Sequence, residues 1–196
     1  MIRFFDLLFS IIAAIILSPL LLLIFILVKL TSKGTAVFVQ KRVGKNNIDF
    51  NLYKFRTMNI SSDVQRLLTV GEKDKRITKV GVFLRRFKLD ELPQLINVIK
   101  GDMSLVGPRP EVRYFVNYYT TEQLKVLNVL PGITDYASIK YRNENELLEK
   151  AENPEAFYIN HILPEKINLN LLFINNPSLK IYFQILWATF IRIIKK

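Results

Sequence analysis

Between Leu7 and Val28 the only side chains that are not apolar are Ser10 and Ser18, with Pro19 beside the second. Such a run exceeds the ~18 apolar residues that mark a membrane-helix candidate. It is too long for the core of a secretory signal and lacks a small-residue cleavage site. Asp6 and Arg3 precede it, and Lys29 and Lys33 follow. Cations on both flanks argue that both ends stay on the cytoplasmic side. Pro19 removes one helical N–H and clashes with the preceding turn, while Ser18 can bond back to a freed carbonyl. The pattern leaves two arrangements open: a straight span with a proline kink, or a helix broken at Ser18-Pro19 that dips into one leaflet and returns.

Beyond residue 33 the pattern predicts a compact domain. Ala36 to Val43 and Phe50 to Thr57 read as two strands around the turn-rich Gly44-Lys45-Asn46-Asn47, a hairpin. One face carries Tyr53, Phe55 and Thr57, the other Leu52, Lys54 and Arg56, so two cations project together. Gly71 to Lys79 is polar and predicts a mobile loop. Leu92, Leu95, Ile96 and Ile99 form one stripe at helical spacing, ended by Gly101. Short helices are expected at Glu111 to Tyr119 and Glu122 to Asn128, then a turn at Pro131-Gly132-Ile133-Thr134. A polar surface helix follows at Asn143 to Glu152, and another helix opens at Pro154. The only histidine, His161, has no metal-spaced neighbours and receives no role. Ser178 to Lys196 is apolar with basic and aromatic rims. It predicts an amphipathic helix in the membrane interface, Trp187 and Tyr182 at headgroup level, with packing on the core as the alternative.

Charge narrows the function. With 28 Lys+Arg against 17 Asp+Glu the formal net charge is +11, which calls for an anionic partner: nucleic acid, acidic lipid headgroups or phosphorylated small molecules. A mean hydropathy of +0.19 alongside 23% charged residues means that the apolar residues are segregated. Without cysteine there is no disulfide and no thiolate metal site. Neither nucleotide-binding glycine fingerprint occurs, and nucleic-acid binding is disfavoured beside an apolar anchor.

The densest chemistry lies at Asp90-Glu91, with Arg85, Arg86 and Lys88 just upstream and the rigid Gly107-Pro108-Arg109-Pro110 downstream. Structure alone can account for the pair, Asp90 as a helix cap and Glu91 as a charge favourable to the helix dipole. The surrounding cations are what that account leaves over.

These residues resemble the bacterial sugar transferases of the monotopic phosphoglycosyl transferase superfamily. The resemblance runs in order through Ser18-Pro19, Tyr53-Lys54-Phe55-Arg56-Thr57-Met58, Arg76 to Gly81, Leu84-Arg85 and Leu89 to Leu95. It continues through Lys100-Gly101-Asp102-Met103-Ser104, Val106 to Pro110 and Pro131 to Thr134, covering most of residues 4 to 142. It departs after Thr134, where relatives often continue with Gly and later Asn-Gly-Arg. Here Asp135-Tyr136-Ala137-Ser138 leads to Lys140-Tyr141-Arg142.

The resemblance implies transfer of a sugar 1-phosphate from a UDP-sugar to polyprenol (undecaprenyl) phosphate. Asp90 would be the nucleophile, and Glu91 a second catalytic carboxylate with a metal or proton-handling role. Mg²⁺ at Asp90 and Glu91 is the expected cofactor. Arg85 and Arg109 are the expected phosphate clamps, and Lys54, Arg56, Pro108, Pro110 and Arg142 complete the substrate-binding set. A UDP-sugar reaches the site from the cytoplasm while the lipid phosphate stays at headgroup depth, which favours the re-entrant anchor. The expectation is therefore a mixed, mainly α fold with a small β-hairpin. Residues 1–33 would form a re-entrant anchor broken at Ser18-Pro19, and residues 34–196 a catalytic domain on the cytoplasmic face of the bacterial inner membrane. Anionic lipid headgroups are expected partners, nucleic acid is not, and a homodimer is left open. The competing reading is an inactive membrane scaffold of a glycan assembly pathway.

Overall fold

The computed structural model describes residues 1–59, 68–71 and 74–194, and it is mainly helical with two small sheets. Two apolar helices open the chain, α1 (Ile2–Ile16) and α2 (Ser18–Thr31), bent by 64° where they meet. The bend has a local cause. Pro19 has no N–H for the carbonyl of Ile15, four residues back, and the Ser18 hydroxyl donates to that carbonyl instead at 2.8 Å. The orphaned acceptor is thus satisfied without straightening the chain. Among the described residues no single helix is long and apolar enough to cross a membrane, and the bent pair meets that requirement only together.

The hairpin forms as expected. Strands β1 (Val37–Val43) and β2 (Asp49–Phe55) pair antiparallel, Val37 opposite Phe55 and Val43 opposite Asp49. Asn46 and Asn47 take φ of 57° and 62° in the turn, a left-handed conformation that asparagine tolerates. Ile24 and Val28 of α2 share a buried cluster with Ala36, Phe55 and Leu84. Leu84 lies on α3 (Lys79–Arg86), capped by the Thr78 hydroxyl, which accepts from the Gly81 amide at 2.9 Å. Within the polar stretch before it, Glu72 and Lys73 lie outside the described residues. Asp74 there pairs with Arg76.

A 3-10 turn at Leu89–Glu91 leads into α4 (Gln94–Lys100), which Gly101 ends at φ 97°. Its inward face corrects the expected stripe: Leu95 is buried, but Ile96 and Ile99 are exposed and Gln94, Asn97 and Val98 face inward. The reason is that Asn97 is bonded to β2, its Nδ2 donating to the Asn51 carbonyl at 2.7 Å and its Oδ1 accepting from the Tyr53 amide at 3.1 Å. Next comes β3 (Ser104–Val106), parallel to β4 (Gly132–Thr134). The second strand corrects the turn expected at Pro131 to Thr134. Three residues are too few to show a strand's period, and what fixes the pairing is close backbone approach: a Cβ on Gly132 would lie 2.1 Å from the Gly107 amide nitrogen.

Between β3 and β4 lie α5 (Arg113–Val116) and a 3-10 stretch at Gln123–Asn128, both shorter than expected. After β4 come α6 (Tyr136–Lys140), α7 (Glu144–Glu149), α8 (Pro154–Phe157) and α9 (Leu163–Asn175). Val112, Phe115, Val126, Leu148, Tyr158 and Ile167 form the largest core here, so α7 is a surface helix with one buried residue, Leu148.

The last helix, α10 (Leu179–Ile194), carries the second correction. Tyr182, expected at headgroup level, is fully buried with Ile185, Val106 and Phe173, because its hydroxyl finds the Asp6 carboxylate inside the protein. The opposite face leaves Trp187 at 65% and Phe190 at 54% exposed, so the helix is amphipathic with its inner face packed on the core.

Candidate active site

The 3-10 turn that carries the two carboxylates begins with Lys88 at φ 56°, a left-handed conformation unusual for lysine. Strained backbone of this kind gathers at functional sites. The turn presents Asp90 and Glu91 to different surroundings. Asp90 does not cap the following helix: Pro93 precedes α4, and the Asp90 Oδ1 atom is buried without a hydrogen-bond partner. The capping account therefore fails, because the 3-10 turn ends before α4 begins. Burial and the neighbouring Glu91 charge push the Asp90 carboxyl above its ordinary range, outweighing Lys54, Arg85 and Lys88.

Glu91 has the opposite fate. The Arg109 guanidinium forks onto both its oxygens, with Nη1 to Oε2 at 3.0 Å and Nη2 on Oε1, and Lys54 Nζ stands 3.9 Å from Oε1. Burial alone would raise the Glu91 carboxyl, but Arg109 and Lys54 overcome it and hold the group far below the usual range. Glu91 in turn raises Arg109. Lys54 falls from 10.5 to about 7, lowered by burial and by Arg109 and Arg42 against the pull of Glu91. Two adjacent carboxylates are thus driven apart, one paired and ionised, the other desolvated and unpaired.

Arg109 is held along its whole length. Its amide donates to Asp135 Oδ2 at 3.2 Å, its Nη1 also reaches the Ile133 carbonyl at 3.2 Å, and buried Pro108 and Pro110 flank it. The Pro108 carbonyl accepts from the Gly132 amide at 2.9 Å, and the Pro110 carbonyl from Arg42 at 3.0 Å. Asp135 is fixed by the Ser138 amide at 2.5 Å and Asn170 at 2.8 Å. Arg85 stands beside the pair, its Nε donating to the Thr57 hydroxyl at 2.9 Å, and Asp90 is the largest charge acting on it.

Asp90, Glu91, Lys54, Arg85, Arg109, Pro108 and Pro110 therefore form one site. Two residues of the expected set stand elsewhere. Arg56 donates to the Thr35 carbonyl at 2.8 Å and the Thr35 hydroxyl at 3.1 Å and lies over the Phe38 ring, so the segment that precedes β1 holds it. Arg142 donates to the Arg192 carbonyl, serving the last turn of α10. Sequence reasoning missed Asp135, Asn170 and Arg42. Only the Asp135 spacing to Ser138, a helix-cap pattern, could have pointed to any of them.

A buried unpaired carboxylate oxygen among fixed cations is suited to attack a phosphoryl group whose charge the cations take up. A family model described as bacterial sugar transferase matches residues 1–196. The chain is 38% identical over 191 residues to a UDP-glucose:undecaprenyl-phosphate glucose-1-phosphate transferase of Klebsiella pneumoniae, covering 95% of this chain and 38% of that protein. It is 44% identical over 140 residues to a UDP-N-acetylgalactosamine-undecaprenyl-phosphate N-acetylgalactosaminephosphotransferase of Aeromonas hydrophila, covering 70% of this chain and 33% of that protein. To exopolysaccharide production protein ExoY of Rhizobium meliloti (strain 1021) it is 37% identical over 157 residues, 72% of this chain and 70% of that protein. The chain thus spans well under half the length of the first two relatives.

Proposed function

This chain belongs to the bacterial sugar transferase family, and from that premise we propose that it moves a sugar 1-phosphate from a UDP-sugar to undecaprenyl phosphate through a covalent intermediate on Asp90. The observation that carries the reading is the buried Asp90 oxygen with no partner, one residue from a carboxylate wholly engaged by Arg109. In the first step an Asp90 oxygen attacks the β-phosphorus, the bond to the bridging oxygen breaks, and UMP leaves with that oxygen. In the second an oxygen of undecaprenyl phosphate attacks the same phosphorus and the Asp90 carboxylate departs, giving undecaprenyl-diphosphate sugar.

Each neighbour then has a distinct task. Glu91 orders Arg109 and Lys54, so the clamp meets the phosphates already aligned. Arg85, and Arg109 through its charge and the donors that Glu91 and Ile133 leave over, take up phosphoryl charge. Of the two carboxylates expected to hold Mg²⁺, Glu91 has both oxygens on Arg109, so Asp90 together with substrate phosphates would hold the ion. The ion is held elsewhere by one or two carboxylates together with substrate phosphates, and Asp90 offers an oxygen that nothing else engages. There it would neutralise charge on the diphosphate.

The anchor supports a membrane setting. Arg3 near the start of α1 donates to the carbonyls of Ile99 and Met103 at 3.2 and 3.3 Å, while Val28 near the end of α2 packs against the hairpin core. A segment whose two ends rest on one domain fits a re-entrant helix on the cytoplasmic face, not a straight span. The exposed Trp187 and Phe190 face of α10 suits the headgroup layer. The Klebsiella and Aeromonas relatives are named for different sugars, glucose and N-acetylgalactosamine, so the donor is given only as a UDP-sugar.

The deciding experiment is transfer of radiolabelled sugar phosphate from a panel of UDP-sugars to undecaprenyl phosphate. Labelled lipid should appear with release of UMP, and chelation of Mg²⁺ should stop it. Full activity in excess EDTA rules out the metal, and a protein that binds a UDP-sugar yet transfers nothing is the scaffold instead.

Topology is tested separately in this cysteine-free chain. Ile2→Cys and Lys33→Cys should both react with a membrane-impermeant thiol reagent only from the cytoplasmic side. Reaction of position 2 from the opposite side means a straight span. Pro19→Ala should restore a continuous helix, move the N-terminus across in a fraction of molecules and lower activity.

A further inference from the structure

The first turns of the anchor carry three polar residues on one helical face, Arg3, Asp6 and Ser10. That face is buried at Asp6 and Ser10, which are 1% and 0% exposed in a helix that is otherwise apolar. A carboxylate so placed is costly unless satisfied. Asp6 Oδ1 accepts three hydrogen bonds, from the Ser104 hydroxyl at 3.0 Å, the Leu105 amide at 2.9 Å and the Tyr182 hydroxyl at 2.8 Å. Those donors belong to β3 and α10, which are remote from each other in sequence.

The placement of β3 gives this junction its meaning. The strand runs between two parts of the site: α4, behind the Asp90-Glu91 turn, ends just before it, and Gly107 to Pro110 with Arg109 follows it directly. Arg3 closes the carboxyl end of α4 from the same helix face. Less than one full turn of the anchor, from Arg3 to Asp6, thus grips the segment that spaces the carboxylate turn from the Arg109 loop.

We propose that Asp6 is a positioning residue for catalysis, its buried carboxylate locking the anchor helix and α10 to the strand that sets Arg109 against the Asp90-Glu91 turn. The inference rests on the transferase reading above. A displacement of about 1 Å at a reacting centre can cost about 10²-fold in rate, so a lock remote from the chemistry can still control it.

The test uses the full chain in lipid nanodiscs with spin labels at Ile12→Cys on the exposed side of α1 and at Asn117→Cys, an exposed position that ends α5 downstream of the Arg109 loop. The parent should give one narrow distance distribution. Asp6→Ala should at least double its width and lower kcat/KM for transfer by about 10²-fold, whereas Asp6→Asn, whose amide oxygen can accept the same three donors, should stay near the parent in both. Tyr182→Phe, which removes one donor and leaves the ring, should broaden the distribution and lower kcat/KM several-fold. An unchanged width in Asp6→Ala, a broadened one with undiminished kcat/KM, or an Asp6→Asn as poor as Asp6→Ala overturns the proposal. Should Asp6→Ala fail to fold, a Tyr182→Phe protein with parental width and activity overturns it. A parent that transfers nothing defeats the transferase reading, and the distance measurements then still decide whether Asp6 holds the lock.

Discussion

Asp90→Asn is expected to abolish sugar-phosphate transfer, by about 10⁴-fold or more, while the protein folds as well as its parent or better. The amide keeps the shape of the side chain and loses the negative oxygen that bonds to phosphorus. Stability should not fall, because Asp90 Oδ1 has no partner to lose and the substitution removes a desolvated charge beside Glu91. Functional groups often sit where they cost stability. Acid quenching after mixing with a UDP-sugar labelled in the sugar, without lipid acceptor, should leave label on the parent protein and none on Asp90→Asn. Turnover of Asp90→Asn within about tenfold of the parent means that no covalent bond forms at this residue.

Arg109→Met is expected to damage both fold and activity. Removing one partner of this part-buried ion pair strands the other, at a cost of up to about 3–5 kcal/mol, the figure for a fully buried pair. Lys54 at 3.9 Å from Glu91 offsets part of this, which places the expected loss at the lower end. Transfer should fall by more than about 10²-fold, the usual effect of deleting one preorganised donor to a phosphoryl or oxyanion group. Adding Glu91→Met should recover most of the stability and none of the activity, since it removes the stranded charge without restoring the clamp. Denaturant unfolding in detergent measures the first effect and the transfer assay the second. An Arg109→Met protein as stable as its parent would show that Glu91 is satisfied without it. Arg109→Lys keeps the charge but not the fork, so it should fall between parent and Arg109→Met in both.

Much of this protein is written in local pattern. The hairpin follows from alternation and from Asn46 and Asn47 in the turn, and the end of α4 from Gly101, whereas the inward face of that helix is not the stripe of Leu and Ile. The break at Ser18-Pro19 follows from proline's missing N–H and a hydroxyl one residue away. Those features depend on residues a few positions apart, which is the range over which helical and strand periods operate. The residue types of the site, Asp90, Glu91, Lys54, Arg85 and Arg109, are equally visible as an unusual density of charge near two prolines.

Which of those charges meet was decided by the tertiary structure alone. Glu91 binds Arg109 across 18 residues and Asp6 binds Tyr182 across 176, and no period connects such positions. Arg56, one strand position past a buried Phe55, turns to Thr35, and Arg142 serves the end of α10. The short strand at Gly132 to Thr134 exists because two glycine backbones can approach where any side chain would collide. Sequence determines which polar groups must find partners on burial, because each unpaired one is costly. The partner itself depends on which distant segments pack together, and that leaves Asp90 unpaired while Glu91 is held.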